Sequence, residues 1–564
     1  MHARLCLVTL VLSAASATAQ TVIQIAPPPP PPPGMAGMPA PRDTPAKAGT
    51  AVLRGRVVAT DSGQPLRRAQ VRIVAGDIRE NRMTTTDAEG RYEFKEVAAA
   101  RYSITVQKGS YVSLQYGQQR PFEAGKPLEV LDGQTIEKID FALPRGGVIT
   151  GRILDEFGEP LSDAQVAAMR YQTISGRRRL VTAGRPAMTN DIGEFRLFAI
   201  PPGQYYLSAT LRNLNMIGDS DDRSGYAPTY YPGSASIAEA HRITIAVAQI
   251  VNDVSMALMP TRTARVSGTA VDSQGRPMNG MVMAVPKSDM TLMMIGPPGQ
   301  IRPDGSFSVN GLAPGTYTLN VQGPDAEMAS AEVSVNGDDI TGLRLVGSRP
   351  SVLSGRIIVD PTLAKSLKPS QFRVTGVPVE TNVVVFSGPL GTPAALNDDW
   401  TFEVKARPGA PTRVVLVGSP PGWATRAVRY RGTDVTDAGI EFRPGEDIGD
   451  IEIELTNQIT DVSGLVTDSR GDAVKDYSVV VFSQDRERWS PGSRYMRTGR
   501  PDQDGRFKVA GLPAGSYYAI AVDYIETGDA TDPEVLDRIR DKATTFSLTE
   551  GEKKTLDLKV TTAS

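Results

Sequence analysis

The sequence predicts an all-β chain, organised as a tandem array of about five antiparallel β-sandwich domains. Three observations carry that expectation. A two-turn frame with alternating apolar residues recurs along the chain, and a second motif, apolar-x-Gly-x-apolar, opens each unit. Glycine and proline, 54 and 43 of 564 residues, favour short strands joined by tight turns over helices.

The two-turn frame reads TNDIGEFRLFAIPPGQYYLSAT at residues 189–210, RPDGSFSVNGLAPGTYTLNV at 302–321 and DQDGRFKVAGLPAGSYYAIAV at 502–522. In each, a turn glycine (Gly193, Gly305, Gly505) is followed ten residues later by a second (Gly203, Gly315, Gly515). Between them apolar residues alternate: Phe195 with Leu197, Phe307 with Val309, Phe507 with Val509. Beyond the second turn Tyr205, Tyr317 and Tyr517 restart the alternation. Period two between such punctuation means antiparallel strands with one face buried. A weaker copy at 86–106 has Ala98-Ala99-Ala100 in place of the second Pro-Gly, which predicts a different loop there.

The opening motif stands about forty residues upstream, as Leu53-Gly55-Val57, Ile149-Gly151-Ile153, Val266-Gly268-Ala270, Leu353-Gly355-Ile357 and Val462-Gly464-Val466. Its glycine falls on the apolar face, where a missing side chain means that another backbone or a large ring packs close. In four units an Asp (Asp61, Asp155, Asp272, Asp468) and a glycine-containing turn follow. The fourth has Asp360 without such a turn, and DDWTFEV from Asp398 stands where the others carry Asp-Gly-Phe. The units therefore run 50–146, 147–262, 263–349, 350–458 and 459–564, the fourth being divergent. One helix is expected, as an insertion in the last unit. Asp532 caps it, Pro533 takes the first position, and Leu536, Ile539 and Ala543 share a face.

The N-terminus predicts where these units work. Residues 1–19 have a basic start, an apolar run from Leu5 to Leu12 and Ala17-x-Ala19, which reads as a secretory signal peptide. Cys6 opens the apolar run, so it is not placed as a lipoprotein cysteine. No later segment approaches ~18 continuous apolar residues, and the end, LKVTTAS, carries no anchor. Export is expected, to the periplasm, the cell surface or beyond. Cys6, the sole cysteine, leaves with the leader, so the sandwiches must hold by core packing alone. Residues 20–49 form a proline-rich linker, in which Pro27–Pro33 gives a stiff spacer of roughly 20 Å.

These motifs, together with Asp-x-x-Gly-x-Pro-Leu-x-x-Ala-x-Val (complete in GQPLRRAQV and GEPLSDAQV) and Leu-x-Pro-Gly-x-Tyr, resemble the carboxypeptidase regulatory-like domain. That family has a transthyretin-like, immunoglobulin-like sandwich of about seven strands, named after the non-catalytic domain of some zinc carboxypeptidases. The resemblance covers units one, two, three and five. It implies an exported bacterial multi-domain protein with a fold often grouped with carbohydrate-binding sandwiches. The residues that carry it are turn and core residues, so no functional residue transfers with them.

The inventory argues against catalysis. The histidines are His2, in the leader, and His241, too few for a carboxypeptidase zinc site or a two-His, two-Tyr iron site. There is no Gly-x-Ser-x-Gly, no Ser-x-x-Lys and no phosphate loop. His241 alone makes no triad and reads as a loop-to-strand residue. A glycosidase needs only two carboxylates about 5–10 Å apart, so among 63 acidic residues that chemistry stays open, with no motif pointing to it. No cofactor and no metal site is expected. Asp502 and Asp504 read as a hairpin turn rather than a calcium loop, because the copies do not keep both acids and no closing Glu follows. Asp219, Asp221 and Asp222 read as a solvated loop. Without the leader the formal charge is −3, against a nucleic-acid or anionic-membrane partner. Arg177-Arg178-Arg179 reads as a solvated patch.

A binding function would live in loops. One, from Ser110, carries Tyr111, Tyr116 and Phe122; another, from Ser224, carries Tyr226, Tyr230 and Tyr231. Trp423 lies in SPPGWATR and Trp489 in RERWSPGSRY, the latter flanked by Arg486, Arg488 and Arg494, while Trp400 in WTFEV reads as core. The ligand-binding candidates are thus Trp489, Trp423, Tyr226, Tyr230, Tyr231 and Tyr116. Such rings either offer a flat face to a sugar or a protein partner, or plug the open ends of the sandwiches. The sequence leaves two readings open: a binding or adhesion array for extracellular or cell-wall glycans, and a structural scaffold contacting another envelope protein.

Overall fold

Strand Ala51–Ala59 shows how each stretch is built. It pairs antiparallel with Arg91–Val97 on one side. On the other it pairs parallel with two short strands from the end of the same stretch, Thr135–Ile136 and Phe141–Leu143. The facing sheet centres on Gln70–Ala75, between Glu80–Thr85 and Ala100–Gln107. The same scheme recurs from Gly147–Leu154, Ala264–Val271 and Asp461–Thr467. Alternating residues of both sheets fill the space between them. The largest buried clusters draw in turn on residues 51–143, 149–258, 264–345, 353–455 and 462–558. This all-β architecture is that of a computed structural model that describes residues 49–562, except 77, 79, 175, 212–223, 288–297, 324–326, 361–366, 380–392, 408–409, 421 and 491. The leader, the proline run and the acidic cluster at Asp219, Asp221 and Asp222 lie outside the described residues.

The motif glycines sit where the parallel pairing breaks. A Cβ on Gly55 would lie 2.0 Å from the Ile139 carbonyl oxygen. Gly151, Gly268, Gly355 and Gly464 face Val254, Leu343, Ile451 and Leu556 in the same way, at 1.7 to 2.1 Å. The last strand of each stretch bulges there and turns a carbonyl onto the first strand, which only a residue without a side chain accommodates.

The turns hold a correction. Asp502 Oδ1 accepts the backbone N–H groups of Asp504 and Arg506, both at 2.9 Å, and Asp87 and Asn190 do the same in their turns. The carboxylate of Asp502 is thus committed to its own turn. That turn, however, is not the hairpin the sequence predicts. Strand Met496–Gly499 before it pairs with Ser478–Ser483, whereas Arg506–Ala510 after it pairs with Asp461–Thr467 in the facing sheet. The Pro-Gly turn crosses back, since Gly515–Val522 returns to Ser478–Ser483. Both punctuation marks therefore switch sheets, because alternation fixes which face is buried but not which strand is the neighbour. The second crossing is closed by a tyrosine hydroxyl donating to a carbonyl four residues upstream: Tyr205 to Pro201 at 2.7 Å, Tyr317 to Ala313 at 2.9 Å and Tyr517 to Pro513 at 2.7 Å. Tyr102 does so with Ala98 at 3.0 Å, so the Ala-rich loop keeps the closure without the Pro-Gly.

The fourth stretch departs by one strand. Ala424–Tyr430 does not join the facing sheet but pairs antiparallel with Ile448–Thr456 in the first. Its turn frame is nevertheless present. Asn397 N donates to Thr401 O and Trp400 N to Asn397 O, the bonds made around Asp502 and Gly505. Trp400 therefore stands at the turn-glycine position, at φ 68°, a conformation in which a bulky residue is an outlier. It is a half-buried turn residue whose ring packs 5.9 Å from that of Phe372, and the strand begins after it, at Thr401–Ala406.

In the last stretch the helix forms as Pro533–Ile539, with Asp532 Oδ1 accepting Glu534 N at 2.9 Å. It is the only α-helix among the described residues. Leu536 and Ile539 cover the outer face of the Ser478–Ser483 sheet, meeting Val480, Phe482, Ile520 and Val522. That strand is consequently buried on both faces, which explains its unbroken apolar run.

Candidate functional site

The six aromatic candidates do not converge. Trp489 is 4% exposed, and its Nε1–H donates to the Ser483 carbonyl at 2.7 Å while its ring packs edge-on against Phe482 at 5.3 Å. Its face is covered by the outer cluster beneath the helix, so it offers no platform to a ligand. Tyr230 is 6% exposed and fills the matching outer cluster of the second stretch with Met169 and Leu180. Tyr226 and Tyr231 lean onto the inner core of that stretch. The Tyr226 hydroxyl donates to Glu156 Oε2 at 2.6 Å, and burial, then this carboxylate, pushes its pKa up to about 12. Tyr116 packs against Phe141 at 6.3 Å, and Trp423 is half-buried on the core of the fourth stretch. His241 precedes strand Arg242–Ile245, with its ring against Tyr231 at 6.4 Å. These rings seal sandwich ends and outer faces.

Phe122, from the long loop after Ser110, leads to a different place. The loop reaches across to the second and last stretches. The Arg170 guanidinium lies 3.3 Å from the centre of the Phe122 ring, and Arg170 Nη1 donates to Glu526 Oε2 at 2.8 Å. Tyr524 OH donates to the Pro121 carbonyl at 3.0 Å, and Thr527 N to that of Phe122 at 3.0 Å. Residues from three stretches thus meet at one junction.

Beside it opens a basin of about 400 Å³, lined among others by Phe122, Tyr171, Arg178, Gln204, Tyr206 and Arg242. The sequence explains how the side chains arrive there. Tyr205 points into the core, so Tyr206, the next residue of strand Gly203–Leu211, points outward. Tyr171 lies on the neighbouring strand, 5.9 Å from Tyr206 with the rings nearly perpendicular. The Arg178 guanidinium lies 4.4 Å from the Tyr171 ring centre. Arg242 lies 5.3 Å from that of Tyr206 and donates through Nε to the Tyr206 hydroxyl at 2.9 Å. Both guanidiniums are exposed, and neither is within ion-pair distance of a carboxylate among the described residues. The result is a cationic rim over tyrosine rings. Reading the arginine triplet as merely solvated missed it; the Tyr-Tyr pair was the available signal.

Among the described residues no group of three His, Cys, Asp or Glu is placed to hold a metal ion, and no helix is long and apolar enough to cross a membrane.

A search of curated proteins finds no match. Among solved structures, a streptococcal ancillary pilin is similar at 13% identity, covering 53% of this chain and 98% of its own, with a TM-score of 0.19. A mutant of the shaft pilin SpaA from Lactobacillus rhamnosus GG is 14% identical over 38% of this chain and 98% of its own, at 0.19. BcpA, the major pilin subunit of Bacillus cereus, is 10% identical over 53% and 99%, at 0.14. The family model of the carboxypeptidase regulatory-like domain matches residues 52–144, the stretch whose opening glycine, Asx turn and tyrosine closure are described above. Residues 52–144 are thus similar to a carboxypeptidase regulatory-like domain.

Proposed function

We propose that the chain is an exported, non-catalytic binding protein of the cell envelope, built of consecutive sandwich domains with the boundaries given above, and that it binds extracellular or cell-wall glycans. The observation that carries the reading is the basin in which Arg178 and Arg242 lie over Tyr171 and Tyr206. Guanidiniums held on aromatic rings supply donors in a fixed plane above an apolar floor, a combination that suits hydroxyl-rich and acidic saccharides. Its position on strands rather than mobile loops favours a preformed site.

Binding of residues 21–564 to a panel of neutral and acidic polysaccharides, with release of reducing sugar read in the same wells, tests this. Saturable binding without release, weakened in Arg178→Ala and Arg242→Ala at unchanged melting temperature, is the expected result. Release of sugar would instead bring back the carboxylate-pair glycosidase.

A second reading, a scaffold contacting another envelope protein, has its own support in the docking of the last stretch onto the first two. It predicts that a protein partner is retained by the Arg178→Ala, Arg242→Ala double variant and that no polysaccharide binds.

A further inference from the structure

The displaced strand Ala424–Tyr430 leaves a second cavity, of about 500 Å³, between the fourth and last stretches. Thr425, Ala427 and residues 511–514 line it, and Thr436, Thr456, Gln458, Thr460 and Tyr495 add to its polar lining. Four guanidiniums and three carboxylates also line it. Three of the cations are matched: Arg426 with Glu550 at 2.9 Å, Arg429 with Glu454 at 2.6 Å and Arg494 with Asp434 at 2.6 Å.

Arg497 is the exception. Its Nη1 donates to the carbonyls of Met496 at 2.8 Å and Ser493 at 3.2 Å, while its Nε and Nη2 donate to no protein atom among the described residues. No carboxylate of those residues lies within ion-pair distance of it. The side chain is half-buried, and loss of water pushes its pKa down, though an arginine stays charged. A partly desolvated cation without a contact ion pair, with Asp437 acting on it only at longer range, is unfavourable on its own. Nε and Nη2 are also the side-on fork that receives both oxygens of a carboxylate.

We propose that this cavity binds a small carboxylate-bearing ligand, with the Arg497 fork holding the carboxylate and the threonine and glutamine side chains facing a polar body. The volume falls within the roughly 300–1,000 Å³ of small-molecule sites, enough for one or two sugar rings or a short peptide end. An acidic sugar and a peptide C-terminus share the recognised group. The site is separate from the basin around Arg178 and stands or falls independently of it.

Calorimetric titration of residues 21–564 tests the proposal with D-glucuronate, D-galacturonate, the corresponding neutral sugars, trialanine and its C-terminal amide. Saturable binding of at least one acid is expected, about tenfold tighter than its neutral counterpart. Which acid binds tells sugar from peptide. Arg497→Met should weaken binding about tenfold or more, and Arg497→Lys, which keeps charge but not the fork, by several-fold. Ala514→Trp, at an exposed position on the cavity wall, should also block it. If Arg497→Met does not fold, Arg497→Lys and Ala514→Trp decide. Absence of saturable binding by every acid, or binding that survives in the folded variants, overturns the proposal.

Discussion

Arg500 Nη1 lies 2.7 Å from Glu123 Oε1, and the two side chains are 5% and 1% exposed although 377 residues separate them in sequence. Glu123 Oε2 accepts the backbone N–H groups of Gln119 and Arg120, at 3.2 and 3.3 Å, so the carboxylate also fixes the loop that carries it. Arg500 Nη2 donates to Asp476 Oδ1 at 2.8 Å, and its buried Nε has no partner among the described residues. A buried pair of this kind is worth little against an apolar substitute, but removing one partner strands the other. Arg500→Met, which leaves the buried Glu123 carboxylate without its cation, should therefore destabilise the docked arrangement by about 3–5 kcal/mol, and the double change Glu123→Met, Arg500→Met by clearly less. Denaturant unfolding gives the energies, and limited proteolysis shows whether the last stretch comes free. Equal losses in both variants would mean that packing, not the ion pair, holds the junction.

The motif glycines give a second prediction. At Gly268 a Cβ would stand 1.7 Å from the Leu343 carbonyl oxygen, a contact with backbone that no side-chain rotation relieves. Gly275 has φ 81° with open space around it. Gly268→Ala should cost about 3 kcal/mol or prevent folding of its stretch, and Gly275→Ala about 1 kcal/mol, the cost of a left-handed backbone alone. Melting of the two variants side by side checks the order.

Trp489 marks the limit of what the sequence makes legible. Period two identified the buried faces, and the glycines marked the close approaches, because both are properties of one strand and its neighbours along the chain. Which sheet follows a turn, and what covers an outer face, depends on residues far away. Trp489 is buried by a helix beginning at Pro533, and Phe122 is met by Arg170 and Glu526. The basin was hidden for the same reason, since Arg178 gains meaning only from Tyr171 across the strand pair. Trp400 went unseen as a turn residue because tryptophan is among the least expected side chains at a position glycine usually holds.

The packing of Trp489 makes its role testable. Trp489→Ala should destabilise the last stretch by about 3–5 kcal/mol through the cavity beneath the helix. Trp489→Phe, which loses the 2.7 Å bond to Ser483, should cost less. Neither should change ligand affinity while the protein remains folded. A weakened affinity at full stability would return Trp489 to the binding surface.

Four tyrosines with raised pKa values predict an alkaline limit to stability. Burial pushes Tyr317, Tyr230 and Tyr524 up to about 12, and burial together with Glu156 does the same for Tyr226. In the unfolded chain these phenols ionise near pH 10. A group whose pKa is higher in the fold contributes its full share below the unfolded value and loses it as pH rises through the folded one. Stability should therefore be unaffected by these groups up to about pH 10 and fall between about 10 and 12. The phenolate absorbance band, followed together with circular dichroism, should show a late titrating class that appears as the strands melt. Glu156→Gln removes the carboxylate and should bring one phenol to lower pH without loss of fold. Tyr317→Phe should remove one late phenol and, with its bond to Ala313 gone, cost about 1 kcal/mol at neutral pH. Full titration of every tyrosine near pH 10 with the circular dichroism intact would show that the hydroxyls are not held as described.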